Sequence, residues 1–238
     1  MQVLVKEKAK VAISWSGGKD SAMVLNRLMN SEEYEVAGLM TTFLGDEREV
    51  NLHFIPQAII QQQAKALGLP LFTVFLPAQP INEVYEKAHQ NKVQQMHREE
   101  GINRIAFGDL YLQPIKEFRD RMLKPTGVAP IYPLWGSDTH TLLQEMEREP
   151  IKAIICAIDA LKLPSRVLGQ PLSEALLAPY APNVDWCGEN GEYHTLVYDG
   201  AGFRQAVSYS FSQEAASIDY RPDIEMAMEY LQFESPAR

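Results

Sequence analysis

The chain has 238 residues, of which 46% are hydrophobic, enough for one large domain or two small ones with a packed core. Its net charge of −9 argues against a broad nucleic-acid surface, since affinity for phosphate backbones comes from clustered Lys and Arg. Cys156 and Cys187 are the only cysteines and stand far apart, which excludes a disulfide framework or a CxxC zinc cluster and fits a reducing cytoplasm. Met1 to Lys10 lacks the apolar run of a signal peptide, and no segment reaches the length of a membrane span. These features predict a soluble, cytoplasmic protein.

In chain order, Lys10 to Ile13 predicts a short buried strand, and Ala22, Leu25, Leu28 and Met29 repeat at helical spacing. Between them lies Ser14-Trp15-Ser16-Gly17-Gly18-Lys19-Asp20-Ser21, a strand-to-helix turn. Adjacent glycines let backbone wrap an anion, and the first amides of the helix point at the same place, so a phosphate is the expected occupant. Lys19 is followed by Asp20 rather than Ser or Thr, which excludes a Walker A loop, and no GxGxxG is present.

A second strand is predicted over Glu35 to Phe43, a loop over Gly45 to Arg48, and a helix through Ile55, Ile59, Ala64 and Leu67 that stops at Gly68-Leu69-Pro70. Leu71 to Leu76 predicts a third strand, Pro80 opens a long helix running towards Gly101, and Arg104 to Phe107 predicts a fourth strand ending in Gly108-Asp109. Alternating strands and helices imply a doubly wound parallel sheet whose ligands bind beyond the carboxyl ends of the strands. The first loop and Gly108-Asp109 therefore share one edge.

Glu117, Arg119, Asp120 and Arg121 form a charged run on a following helix, expected to be a solvated face that starts near that edge. Prolines and glycines around Ile131 to Gly136 mark the expected domain boundary, giving residues 1–130 as a nucleotide domain and 131–238 as a substrate domain. A helix around Leu142 to Met146, a strand over Ile151 to Ile158, an irregular turn to Gly169 and a short helix over Leu172 to Leu177 follow. Glu234 to Arg238 are expected to fray. His53, His89, His97 and His140 are expected in surface or capping roles.

Val184 to Thr195 gathers Asp185, Glu189, Asn190, Glu192 and His194 around two glycines. A strand beginning at Tyr193 puts Glu192 and His194 on one face and Tyr193 and Thr195 on the other. Such a cluster suits orienting an amine or ammonia, accepting its proton, or binding magnesium.

The SGGKDS turn resembles the pyrophosphate loop of the ATP pyrophosphatases, which cleave ATP between the α- and β-phosphates. Together with Gly108-Asp109-Leu110-Tyr111, Pro133-Leu134-Trp135 and the Gly188–Thr195 motif GENGEYHT, it resembles the diphthine–ammonia ligase family over nearly the whole chain. The resemblance implies an α/β fold with a HUP, Rossmann-like doubly wound sheet and a smaller C-terminal α+β domain. It also implies that ATP adenylates a carboxylate with loss of pyrophosphate, and that ammonia or an amine displaces AMP. Ser14, Ser16, Gly17, Gly18, Lys19, Asp20, Ser21, Gly108 and Asp109 are then the expected ATP-binding residues, with Asp20 helping to place either the loop or an Mg²⁺ ion on the phosphates. Asp20, Glu189, Glu192 and His194 are the expected catalytic residues, and Glu117, Asn190, Glu192 and His194 the expected substrate contacts.

In members linked to diphthamide synthesis the last motif reads closer to EGGE-F/Y-E-T, whereas Asn190 here replaces a glycine and His194 an acid. GENGEYHT is similar to the bacterial branch, which makes no diphthamide. A different acid, a small metabolite or corrinoid-related carboxylate, joins protein-borne diphthine among the expected substrates. A homodimer is compatible with this reading. Its competitors are a tRNA-modifying enzyme, for which the acidic chain supplies no basic surface, and a nucleotide-binding regulator without turnover.

Overall fold

A computed structural model describes residues 7–200, 202–219 and 226–234. The terminal residues 235–238, and most of the first ten residues discussed above, lie outside the described part.

The core strand β1 (Ala9–Ser14) alternates its side chains between two apolar layers. Val11 and Ile13 enter the layer formed with α1 (Lys19–Met29) and α2 (Gln57–Leu67), while Ala12 enters the layer under α3 (Asn82–Glu100) and α4 (Gln113–Leu123). Burial on both faces is what a near-continuous apolar run encodes in a parallel sheet. β2 (Tyr34–Leu44), β4 (Leu71–Leu76), β5 (Arg104–Ala106) and β6 (Ala129–Ile131) complete the parallel set. β1 pairs with β2 and β5, β2 with β4, and β5 with β6, giving the order β4-β2-β1-β5-β6. The order reverses between β1 and β5, and at such a reversal the carboxyl ends of the strands open a crevice for ligands.

A two-residue strand, β3 (Glu49–Val50), pairs antiparallel with the end of β2, an element the sequence pattern does not announce. α2 stops where expected, at Gly68 with a left-handed φ of 69°. β6 carries the first sheet as far as Ile131, and the backbone at Gly136 donates to Leu110 O at 2.8 Å, so the proline-rich junction is fastened to the β5 edge.

After α5 (Thr139–Arg148) comes β7 (Lys152–Asp159), then α6 (Glu174–Leu177), capped by Ser173, whose side chain accepts from Leu176 N. β8 (Tyr193–Asp199), β9 (Phe211–Asp219) and β10 (Ala227–Phe233) join β7 in an antiparallel sheet of order β8-β7-β10-β9. Ile154, Ile158 and Leu196 of this second sheet belong to the same apolar layer as Ile13, Leu25 and Ile59 of the first. One face of the parallel sheet is therefore sealed by α1 and α2, and its core runs on into the antiparallel sheet. Among the described residues no helix is long and apolar enough to cross a membrane.

Candidate active site

The turn between β1 and α1 sits at the switch point of the parallel sheet. Gly17 has φ of 83°, a conformation that L side chains rarely adopt, and a Cβ there would meet Ile60 and Gln63 at 2.7 and 2.8 Å. Gly18 is extended, with φ of −96°, so its requirement is spatial: a Cβ would lie 2.5 Å from His53 Cε1 and 3.0 Å from Thr195 O. The turn is held from three sides. Gln63, fully buried, accepts from Trp15 Nε1 at 2.8 Å and donates from Nε2 to Gly17 O at 3.0 Å and Val197 O at 2.7 Å. Val197 N donates to Gly17 O at 2.9 Å, and Ser21 Oγ donates to Gly18 O at 2.8 Å.

β8 thus lies directly against the bend, and its Tyr193 and Thr195 face it as the alternation predicts. Lys19 N donates to Thr195 Oγ1 at 2.9 Å, and Lys19 Nζ stands 5.3 Å from the centre of the Tyr193 ring. Lys19, 5% exposed, pairs through Nζ with both Asp20 oxygens, at 2.8 and 2.9 Å. Burial pulls the ammonium pKa down most strongly, but Asp20 with Cys187 and Glu189 together turn the net shift upward. Burial pushes Asp20 up against the pull of Lys19, with Asp109 and Asp185 adding to the rise.

On the neighbouring β5 edge, a Cβ on Gly108 would come within 3.0 Å of Asp20 Cβ, so this glycine lets the two loops meet. Asp109 is engaged by Arg119, Nε to Oδ2 at 2.6 Å. The acidic hairpin reaches the same edge: Glu189 Oε1 accepts from Leu110 N at 2.8 Å. Burial drives Glu189 up to about 7, opposed by the Leu110 amide and Lys19 and assisted by Asp20 and Asp109. A carboxyl group titrating near neutrality, beside a buried lysine and a phosphate-type turn, is placed for proton transfer.

The structure therefore brings together Ser14, Ser16, Gly17, Gly18, Lys19, Asp20 and Ser21 with Gly108, Asp109 and Glu189. It separates others. Glu192, 2% exposed, is turned into its own hairpin, where it accepts from Asp185 N, Asn190 N and Asn190 Nδ2 at 3.0 to 3.1 Å. That is the bonding of a turn staple, and Asn190 is its exposed rim. Glu117 lies exposed on α4, bonded to Gln113 at 2.8 Å. His194 occupies the opposite face of β8 from Thr195, its ring 4.8 Å from that of His53 and its Nε2 enclosed without a hydrogen-bond partner.

Three expectations of solvated residues need correction. His53 is wedged against Gly18, its Nδ1 3.0 Å from Thr195 O, and burial lowers its pKa to about 4. His89 is 3% exposed, with Nε2 2.8 Å from Thr42 Oγ1 and Nδ1 2.8 Å from Tyr85 O. Arg119 leaves its charged run to pair inward with Asp109 and to cover the Phe107 ring at 4.3 Å. Arg119 follows Asp109 by ten residues but Asp109 lies outside α4, so no helical spacing links the pair, and nothing local in the sequence points to Gln63 or His53.

Among the described residues no three His, Cys, Asp or Glu side chains converge to hold a metal ion, and both Asp20 oxygens face Lys19.

Comparison with known proteins is consistent with this geometry. A curated diphthine–ammonia ligase of Bos taurus is 25% identical, with 94% of this chain and 90% of the relative aligned. The Mus musculus protein of the same name is 26% identical over 86% and 84% of the two chains. A longer Schizosaccharomyces pombe relative of that name matches 81% of this chain with 34% of its own length, at 25% identity. The family model described as the diphthamide synthase N-terminal domain matches residues 9–130, which hold the bend, the β5 edge and Arg119, and the chain belongs to that family.

Proposed function

We propose that the chain is an ATP-dependent, AMP-forming carbon–nitrogen ligase: it adenylates a carboxylate and passes the acyl group to ammonia or an amine. One observation carries the reading. Glu189 bridges from the acidic hairpin to Leu110 N, which sets a carboxyl group of pKa about 7 beside Lys19, Asp20 and the SGGKDS bend.

In this account the amides of the bend and of the first turn of α1 hold the β- and γ-phosphates, and the Lys19 ammonium offsets their charge. A carboxylate oxygen of the substrate attacks the α-phosphorus, the bond to the bridging oxygen of the β-phosphate breaks, and pyrophosphate leaves. The nitrogen donor then attacks the acyl carbon, AMP departs with the bonding pair, and Glu189 takes the proton released from nitrogen. A group of pKa near the working pH is suited to that step because it is both a competent base and readily recharged. Magnesium bound to the nucleotide phosphates would add positive charge at the leaving group. We assign residues 1–130 to nucleotide binding and 131–238 to the substrate side.

The relatives are named for diphthine and ammonia, which makes diphthine the first acid to test. Asn190 at the hairpin rim and His194 behind β8 depart from the diphthamide-type motif, which favours adding small metabolite and corrinoid-type acids to the panel. The test is incubation with ATP, Mg²⁺, ammonium and each acid in turn. Acid-dependent AMP and pyrophosphate are expected, and ADP with phosphate would overturn the assignment.

A further inference from the structure

We propose that His53 is a positioning residue for the phosphate-binding bend, acting through the hydrogen bond from its Nδ1 to the backbone carbonyl of Thr195. The inference rests on the nucleotide reading above and goes beyond it, since His53 belongs to none of the motifs that suggested that reading.

The first observation is backbone strain. Arg48 in the turn before β3, and Leu52 and Phe54 in the loop after it, have φ of 54°, 63° and 53°, three non-glycine residues in the left-handed region flanking one short strand. Each such residue persists only where its surroundings over-determine it. Here they do. Val50 N donates to Ile55 O at 3.0 Å, Phe54 N to Val50 O at 2.9 Å and Gln57 N to Arg48 O at 3.0 Å, while the Phe54 ring stacks on Tyr230 at 3.8 Å. β3 ties the same loop to the end of β2. The tightly bonded loop has the geometric result of turning the His53 ring inward.

The second observation is what that ring touches. Its Cε1 occupies the space that a Gly18 Cβ would need, at 2.5 Å, so His53 forms one wall of the bend. Its Nδ1 lies 3.0 Å from Thr195 O, and its own carbonyl accepts from Cys156 Sγ at 3.4 Å. One residue therefore joins three elements, its ring meeting the bend and β8 and its backbone carbonyl meeting β7.

The third is the direction of the bond. A carbonyl oxygen only accepts, so Nδ1 must carry the proton, and a neutral ring then keeps Nε2 as a lone pair. Holding the Thr195 carbonyl sets the Thr195 side chain, whose Oγ1 receives Lys19 N at 2.9 Å. That bond takes up the Lys19 N–H and sets the first turn of α1, whose next amides, Asp20 N and Ser21 N, are those that a phosphate would use. His53 thus sets the registry between β8 and the anion-binding amides without touching the nucleotide.

The choice of substitution separates this role from simple packing. Asn presents its amide NH₂ near the position of Nδ1, whereas Gln places it near Nε2. Binding of ATP and of inorganic pyrophosphate is measured by titration calorimetry for the wild type, His53→Ala, His53→Asn and His53→Gln, with the melting temperature of each. Alanine and glutamine are expected to raise Kd for both probes about tenfold, and asparagine to return it to within about threefold of wild type. Should alanine fail to fold, the asparagine and glutamine variants decide the matter alone. Wild-type affinity in the glutamine variant, or equal losses in asparagine and glutamine, would overturn the inference. A wild-type protein that binds neither probe would remove the nucleotide reading itself, and this inference with it.

Discussion

Gln63 offers the most direct perturbation of the scaffold under the site. It lies on α2, fully buried, and makes three hydrogen bonds that no other side chain among the described residues duplicates: from Trp15 Nε1, to Gly17 O and to Val197 O. Gln63→Leu keeps a similar volume and removes all three. At a net value near 1 kcal/mol for each bond, the loss is about 3 kcal/mol, with the Trp15 N–H left buried and unpaired. In a chain of this size that corresponds to a fall in Tm of roughly 6–12 °C. Differential scanning calorimetry measures it, and Trp15 fluorescence reports whether the bend has loosened. A Tm within about 2 °C of wild type would refute the claim that Gln63 fastens the bend to β8.

Other outcomes follow from the same geometry. Glu189 titrates at 4.5 in the unfolded chain and near 7 when folded, so the folded form keeps a proton that the unfolded form has lost between those values. Stability from this group therefore falls as pH rises from about 4.5 to 7 and levels off above; Tm measured across that range should decline less in Glu189→Gln. Gly18→Ala needs no unusual φ yet drives a methyl group into His53 Cε1, and overpacking of this kind costs roughly 1–3 kcal/mol. Removing the ring in a His53→Ala background should restore part of the lost Tm, and strictly additive losses would contradict the contact. Lys19→Met removes the partner of Asp20 and the positive charge at the bend, so ATP turnover should drop at least tenfold in an AMP-release assay while Glu117→Gln, on the exposed face of α4, leaves the rate unchanged.

How legible the molecule is in its sequence depends on how local the determining physics is. β1, α1, β2, α2, β4, α3 and β5 rest on apolar periodicity and on stop signals such as Gly68, and the alternation Val11–Ala12–Ile13 already implies two covered faces. The meeting of the bend with Gly108-Asp109 follows from sheet topology alone. β9 and β10 escape notice because Phe211–Asp219 mixes Ser, Gln and Glu without strict alternation, and its pairing with β10 is a long-range choice. Glu192 illustrates the limit for the site. Its residue type suits chemistry, but the preceding Asp185–Asn190 loop offers it two backbone amides and a side-chain amide, and a buried carboxylate takes such donors. Gln63 and His53 are 46 and 35 residues from the Gly17–Gly18 pair that they hold, and no spacing rule connects them.

The most direct test of the central claim is a crystal structure with ATP in which the α–β bridging oxygen is replaced by methylene. The account predicts the β- and γ-phosphates on the amides of the bend and of Asp20 and Ser21, and the α-phosphorus turned towards Glu189. Phosphates bound away from the bend, or an α-phosphorus facing away from the hairpin, would contradict it.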